Sequence, residues 1–210
     1  MLGLALLALA AQHPRGTARF IFLLNAAPGT PESDFIEKII AVSGQDISLA
    51  RAHDIPAIFG EIATDQKART TGTEPALFLF IHGLHKFKKL RHEDDFSFSS
   101  GGDSEASAGA QLTNIITEGS ALGMHILTSV DTFNNVNRSM SRKALSEFEM
   151  RVVFQMSAND SASLIDSPKA SALGLHRALF YNEHEGTLET FRPYAAPEAE
   201  WLRGNARAGV

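Results

Sequence analysis

A three-layer α/β fold around a mostly parallel sheet is what this sequence predicts, and three observations carry the prediction. The first is the run Pro75-Ala76-Leu77-Phe78-Leu79-Phe80-Ile81-His82-Gly83, where six consecutive apolar residues follow a proline and stop at a polar residue and a glycine. Nothing in that run alternates, so a strand with one wet face is a poor fit. A short unbroken apolar run between breakers suits a strand covered on both faces, in the middle of a mostly parallel sheet. The second observation is that similar runs alternate with stretches of helical spacing, the pattern of βαβ units. The third comes late: 178–181 and 186–191 flank Asn182-Glu183-His184-Glu185-Gly186 and predict an antiparallel hairpin at the edge.

The elements follow in order. Residues 1–11 (MLGLALLALAA) are apolar apart from glycine. No Lys or Arg precedes the run and it is shorter than most signal sequences, so it is read as a buried helix under the sheet rather than a leader. Pro14 and Gly16 stop it. Residues 19–24 predict a second buried strand ending at Asn25, and 26–31, with two prolines and a glycine, a loop. Ser33 is placed as the cap of a helix to about Val42, on which Phe35, Ile36, Ile39 and Ile40 recur at helical spacing. A weaker strand is expected at 45–50, then an amphipathic helix from Asp54 running out in Lys67-Ala68-Arg69, where basic residues suit the dipole.

After the central strand, Lys86-Phe87-Lys88-Lys89-Leu90-Arg91 switches to His92-Glu93-Asp94-Asp95 and a Ser/Gly/Ala-rich run, so 92–109 is expected to be a mobile loop. The basic segment is either a solvated helix face or a phosphate-contacting patch beside a cleft. A helix at 111–122, a strand at 124–130, a polar helix at 141–149, a strand at 150–156 and a one-turn helix at 160–164 follow. Beyond Pro193 periodicity is lost, leaving a tail at 195–210 with Trp201 as its docking residue.

Bulk properties exclude several classes. With 210 residues the chain can build one sizeable core, and 44% apolar with 20% charged residues is ordinary for a soluble protein. A net charge of −5 gives no global attraction to nucleic acid or anionic membrane, so phosphate binding needs a local patch. The absence of cysteine excludes disulfides, thiolate metal sites and a cysteine nucleophile, and fits a cytoplasmic protein. No run reaches the length of a membrane span, and no G-x-S-x-G pattern supports a serine hydrolase.

Ligands of such sheets gather at the carboxyl ends of the central strands, which makes His82 and Gly83 candidate site residues. Thr128, Ser129 and Asp131 end the next strand and are candidates on the same ground, with turn and capping chemistry as the plain alternative. His82 and His85 stand three apart, but closed zinc sites want four ligands and no third is evident, although His92, Glu93, Asp94 and Asp95 follow, so no metal site is assigned.

Three segments resemble the RecA-like motor domain of the FtsK/SpoIIIE and HerA group of P-loop ATPases. Residues 120–129 (SALGMHILTS) are similar to its helix, Gly-Ile-His and strand ending in small hydroxyl residues. Residues 149–157 (EMRVVFQMS) resemble a later strand, and 160–166 with 173–181 resemble the region leading to its hairpin. The likeness spans 1–194 and rests on the order of elements and on local flavour.

The resemblance implies a RecA-like ATPase domain over 1–194 that binds ATP and magnesium and drives DNA or polypeptide through a ring of such domains. Its partners would be other ATPase domains or subunits of the same protein, and possibly DNA. It also casts Thr128, Ser129 and Asp131 as readers of the terminal phosphate, and Arg151, Arg177 and Arg192 as arginines reaching phosphate across a subunit boundary; ordinary surface ion pairs are the plain alternative for all three.

Two departures bear on mechanism. The family's Gly-rich loop ending in Lys-Ser/Thr does not occur here, and in the family it directly precedes the helix that 1–11 resembles. The family's acidic pair at the end of the central strand, which holds magnesium and polarises water, corresponds here to His82 and Gly83. This polypeptide alone is therefore expected not to hydrolyse nucleotide, with no catalytic residue assigned. It is either part of a longer translocase or an inactive ATPase acting as a structural or regulatory interaction domain. A secreted α/β protein would follow only from cleavage of 1–10.

Overall fold

The chain alternates helix and strand from its first residues, and the computed structural model describes residues 1–91 and 106–205. The order is α1 (Leu2–Gln12), β1 (Ala18–Leu24), α2 (Pro31–Val42), β2 (Ile47–Ala50), α3 (Ile55–Ala68), β3 (Ala76–His82), α4 (Ala108–Glu118), β4 (Met124–Thr128), α5 (Phe133–Ser139), α6 (Arg142–Ser146), β5 (Met150–Val153), α7 (Ala158–Ile165), β6 (Ala178–Asn182), β7 (Thr187–Phe191) and α8 (Ala199–Asn205). Contacts divide these into two units, a larger one holding α1 to α5 with α8 and a smaller one from Arg142 to Ala196.

In the larger unit four parallel strands lie in the order β2-β1-β3-β4. As expected, β3 is an inner strand, and Leu77 to Ile81 are all buried. Register pairs Phe20 with Phe78 and Phe22 with Phe80, and their rings stack at 5.3 and 5.8 Å between centroids. These even-numbered residues face Leu6 and Ala10 of α1, Ile36 and Ile39 of α2 and Leu202 of α8. Alternation along the strands sends Ile21, Leu23, Leu77, Leu79 and Ile81 to the other face, where they are also buried. The buried residues of α3 (Ile55, Phe59, Ile62) and α4 (Leu112, Ile115) complete that layer. Each fully buried Leu, Ile or Phe contributes on the order of 2 kcal/mol, so both strand faces are strongly committed to dry surroundings. Gly3 lets α1 approach α2 closely, since a Cβ there would stand 3.0 Å from the Phe35 ring and 3.3 Å from Ile36.

Several boundaries differ from the sequence reading for identifiable reasons. Thr30, not Ser33, caps α2: its hydroxyl accepts the Ser33 N–H, and Pro31 fits the first turn because it has no N–H to satisfy. Ala108 and Gly109 already belong to α4, capped by Ser107, while the expected loop from 92 to 105 lies outside the described residues. The tail forms α8, and its core residue is Leu202; Trp201 is 54% exposed.

The smaller unit contains the expected hairpin, β6 with β7, and β5 joins it as a third antiparallel strand. Only Met150–Val153 is strand, and its burial alternates: Val153 packs with Ile165, Ala170, Leu173 and Leu179, while Met150 and Val152 are exposed. Among the described residues, no helix is long and apolar enough to cross a membrane.

At the amino ends of the parallel strands one arginine ties three segments together. The Arg69 side chain is 4% exposed and donates to both carboxylate oxygens of Asp65 (3.1 and 3.0 Å), to the Leu122 carbonyl (2.9 Å) and to the Pro75 carbonyl (2.8 Å). Replacing it by alanine leaves these acceptors without partners in a dry site. Arg69→Ala is therefore expected to lower the unfolding free energy by about 3 kcal/mol in urea titrations.

Nearby, His13 and His125 both pack against the Phe78 ring, at 5.1 and 5.2 Å. Burial, and then the charge of His13, lowers the pKa of His125 below its ordinary value. The folded state thus disfavours the His125 proton, and stability falls as pH drops below about 6.5, the unfolded value. The loss of stability between pH 7.5 and 5.5 is expected to be smaller in His125→Gln than in the parent chain when both are unfolded chemically at each pH.

Candidate functional site

The carboxyl ends of β1, β3 and β4 bring the expected residues together. Parallel pairing sets Leu24 beside His82 and Ile81 beside Thr128, so Asn25, Gly83 and Ser129 emerge at one edge. Helix α1 runs opposite to these strands. His13, just past its last turn, touches Phe20 and Phe78 near the strands' beginnings, so its first turn lies toward the edge where His82 emerges.

Ser129 organises this edge. Its N–H donates to the Ile81 carbonyl (3.1 Å), and its carbonyl accepts the Leu84 N–H (2.9 Å). Its Oγ accepts the Gly83 N–H at 3.0 Å and lies 3.2 Å from His82 Nδ1. Ser129 Oγ can meet Nδ1 in either tautomer of His82, donating its own hydrogen or accepting a second N–H. Burial, and then the charge of Lys86, lowers the His82 pKa. Gly83 sits at φ 72°, in the left-handed region, and Lys86 folds back over it: an added Cβ would meet the lysine Cδ at 3.1 Å. The β3 end thus turns sharply into two 3₁₀ turns, Leu84–Lys86 and Lys88–Leu90.

Those turns resolve the basic segment. Leu84, Phe87 and Leu90 are buried at a spacing of three, leaving Lys86, Lys88 and Lys89 exposed. Asn25 reaches across from β1 and donates Nδ2 to the Lys86 carbonyl at 3.1 Å. His82 and His85 do not pair with each other: His85 Nε2 lies 3.3 Å from Asp131 Oδ2, while Asp131 Oδ1 accepts from Asn135 at 2.8 Å. Asn135, and more weakly His85, hold the Asp131 carboxyl below its ordinary pKa. Thr128 Oγ1 donates to the Ile81 carbonyl at 3.2 Å. Every candidate on β4 therefore has a local hydrogen bond.

Beside the edge, Arg51 follows β2 and fixes the β1–α2 loop, donating to the Ala26 carbonyl and, at 2.7 and 3.2 Å, to Ser33 Oγ and Glu37. In the smaller unit Arg151 is engaged internally. It donates to the Leu164 carbonyl at 2.9 Å, pairs with Glu183 and lies over the Tyr181 ring. Arg177 and Arg192 are exposed.

A magnesium ion does not fit the edge as built. Magnesium wants oxygen donors, yet β3 ends in an imidazole followed by a glycine, and both oxygens of Asp131 already have partners. Among the described residues no three His, Asp or Glu side chains converge as a metal site. A groove of about 340 Å³ lies elsewhere, between α3 and α4, lined by Gly60, Thr64, Lys67, Gln111, Asn114 and Glu118.

Sequence reasoning did not single out Asn25, although a polar residue ends β1 as His82 ends β3; Lys86 it named only within the basic segment 86–91, as a solvated face or a phosphate-contacting patch.

No model of a known protein family matches this chain, and no curated protein matches it by sequence. Solved structures do. The genome packaging NTPase B204 of Sulfolobus turreted icosahedral virus 2, in complex with ATP-gammaS, superposes with a TM-score of 0.59 at 13% identity over 90% of this chain and 88% of that one. The cytoplasmic domain of the type VII secretion ATPase EccC of Thermomonospora curvata gives 0.65 at 17% identity, over 99% of this chain and 26% of that one. A structure of EccC ATPases 2 and 3 with a signal sequence peptide gives 0.55 at 12%, over 97% of this chain and 38% of that one. This chain therefore has the RecA-like P-loop ATPase fold, and it spans about a quarter to two fifths of the EccC chains.

Proposed function

We propose that this chain acts as a domain of an ATP-driven translocase of the FtsK/SpoIIIE kind, moving DNA or polypeptide in an assembly with other ATPase domains or subunits. By itself it does not hydrolyse nucleotide. The observation that carries the second half is the end of β3: His82 is tied to Ser129 and followed by Gly83 where hydrolysis would need carboxylates to hold magnesium and orient water. The first half is supported by the shared fold with packaging and secretion ATPases. The ATPase-like domain is taken as 1–194 followed by a tail, in the cytoplasm. Arg177 and Arg192, exposed on the smaller unit, remain available to reach a neighbouring subunit, whereas Arg151 serves its own unit.

A second reading, an inactive ATPase kept as an interaction domain, is favoured by the local hydrogen bonds that occupy Thr128, Ser129 and Asp131.

The hydrolysis claim is checked by incubating the purified chain with ATP and magnesium, with and without duplex DNA, and measuring phosphate release. Background rates are expected in both. Turnover near 0.01 per second, about that of a slow P-loop GTPase carrying its own arginine finger, would contradict it.

A further inference from the structure

Three large apolar residues stand in the open at β5 of the smaller unit. Side chains alternate along the strand: Arg151 and Val153 are turned inward, while Met150, Val152 and, one residue past the strand, Phe154 are exposed. Met150 is the most exposed of the five methionines, at 67%. Met1 is 50% exposed, Met156 is partly buried, and Met140 and Met124 lie in the core at 6% and 1%.

Register sets Met150 opposite Asn182 of β6. The adjoining pair is joined by the Glu183 N–H on the Glu149 carbonyl at 2.9 Å. Alternation along an antiparallel ladder therefore makes Met150–Asn182 a pair without backbone bonds between them, the kind whose side chains stand closest. Asn182 Oδ1 accepts the Glu185 N–H at 3.3 Å, which fixes the amide's orientation and leaves Nδ2 with no acceptor among the described residues.

We infer that Met150 is a site of reversible oxidation by hydroperoxides, and that its sulfoxide oxygen accepts a hydrogen bond from Asn182 Nδ2. The thioether sulfur takes one oxygen of the peroxide: an S–O bond forms, the O–O bond breaks, and the departing hydroxide collects the remaining proton as water. Sulfur loses two electrons and the peroxide gains them. The product puts a polar, chiral group at the head of an otherwise apolar strip. This modification stands whether or not the chain serves a translocase.

The purified 210-residue chain is treated with dilute hydrogen peroxide at neutral pH and digested at successive times, and its methionine peptides are weighed by mass spectrometry. Met150 is expected to react at nearly its rate in the urea-unfolded chain. Met124 and Met140 should react at least about 10-fold more slowly, since peroxide reaches them only when the core opens. A methionine sulfoxide reductase should restore the original mass. Oxidation is expected to lower the melting temperature of Asn182→Leu by about 3 °C more than that of the parent chain, the effect of one hydrogen bond in a chain of this size. Should Asn182→Leu lose its fold, Asn182→Asp removes the same donor. Met150→Leu, which keeps an apolar side chain of similar size, should show no oxidation-dependent shift. Met150 reacting no faster than Met124 or Met140 overturns the site, and so does a melting shift that persists in Met150→Leu. Equal shifts in the parent chain and the Asn182 variant overturn the role given to Asn182, and a mass the reductase leaves unchanged overturns reversibility.

Discussion

Enclosure of β3 on both faces is the constraint on which the rest depends. Leu77, Leu79, Phe80 and Ile81 have no exposed surface. The backbone of such a strand has no access to water, so its N–H and C=O groups must be met by β1 on one side and β4 on the other. Stacked Phe20–Phe78 and Phe22–Phe80 pairs then fix the register, because a one-residue slip would send each ring to the opposite face. With register fixed, the first polar residue of β3 arrives beside the end of β4, and chemistry along this strand is confined to its exit.

What the exit can do follows from a single hydroxyl. Ser129 Oγ accepts from Gly83 and faces His82 Nδ1, so it holds both the turn and the imidazole in place. Gly83 permits the left-handed turn and leaves room for Lys86 to fold over it. The outcome is a strand exit that carries an imidazole and a glycine and no carboxylate of its own.

Much of the fold was legible because apolar runs without alternation leave few alternatives: residues 20–24 of β1 and 77–81 of β3 had no polar residue to put in water, and both runs are enclosed. Assignment of β5 was harder. Met150, Val152 and Val153 look alike in sequence, yet Val153 is buried while Met150 and Val152 are exposed, since only one face of its sheet is covered. The start of α2 was misread because Ser33 is a good capping residue in isolation; it is fully buried and serves Arg51 and Glu37 instead. That His82, Gly83, Ser129 and Asp131 gather at one edge followed from their positions at the strand ends. The contact of Asn25 with Lys86 did not, because it joins a neighbouring strand to a turn whose three-residue period, Leu84-Phe87-Leu90, is shorter than the helical spacing usually sought.

The central claim is that the strand ending in His82–Gly83 is an inner, water-excluded strand whose exit is locked to β4 by Ser129. Native-state hydrogen exchange of the backbone amides tests it most directly. Amides of residues 77–81 should exchange only through global unfolding, with opening free energies equal to that of the whole larger unit, and the Gly83 amide should lose protection selectively in Ser129→Ala. Exchange of 77–81 within seconds under native conditions, or a Gly83 amide indifferent to Ser129, would contradict the account.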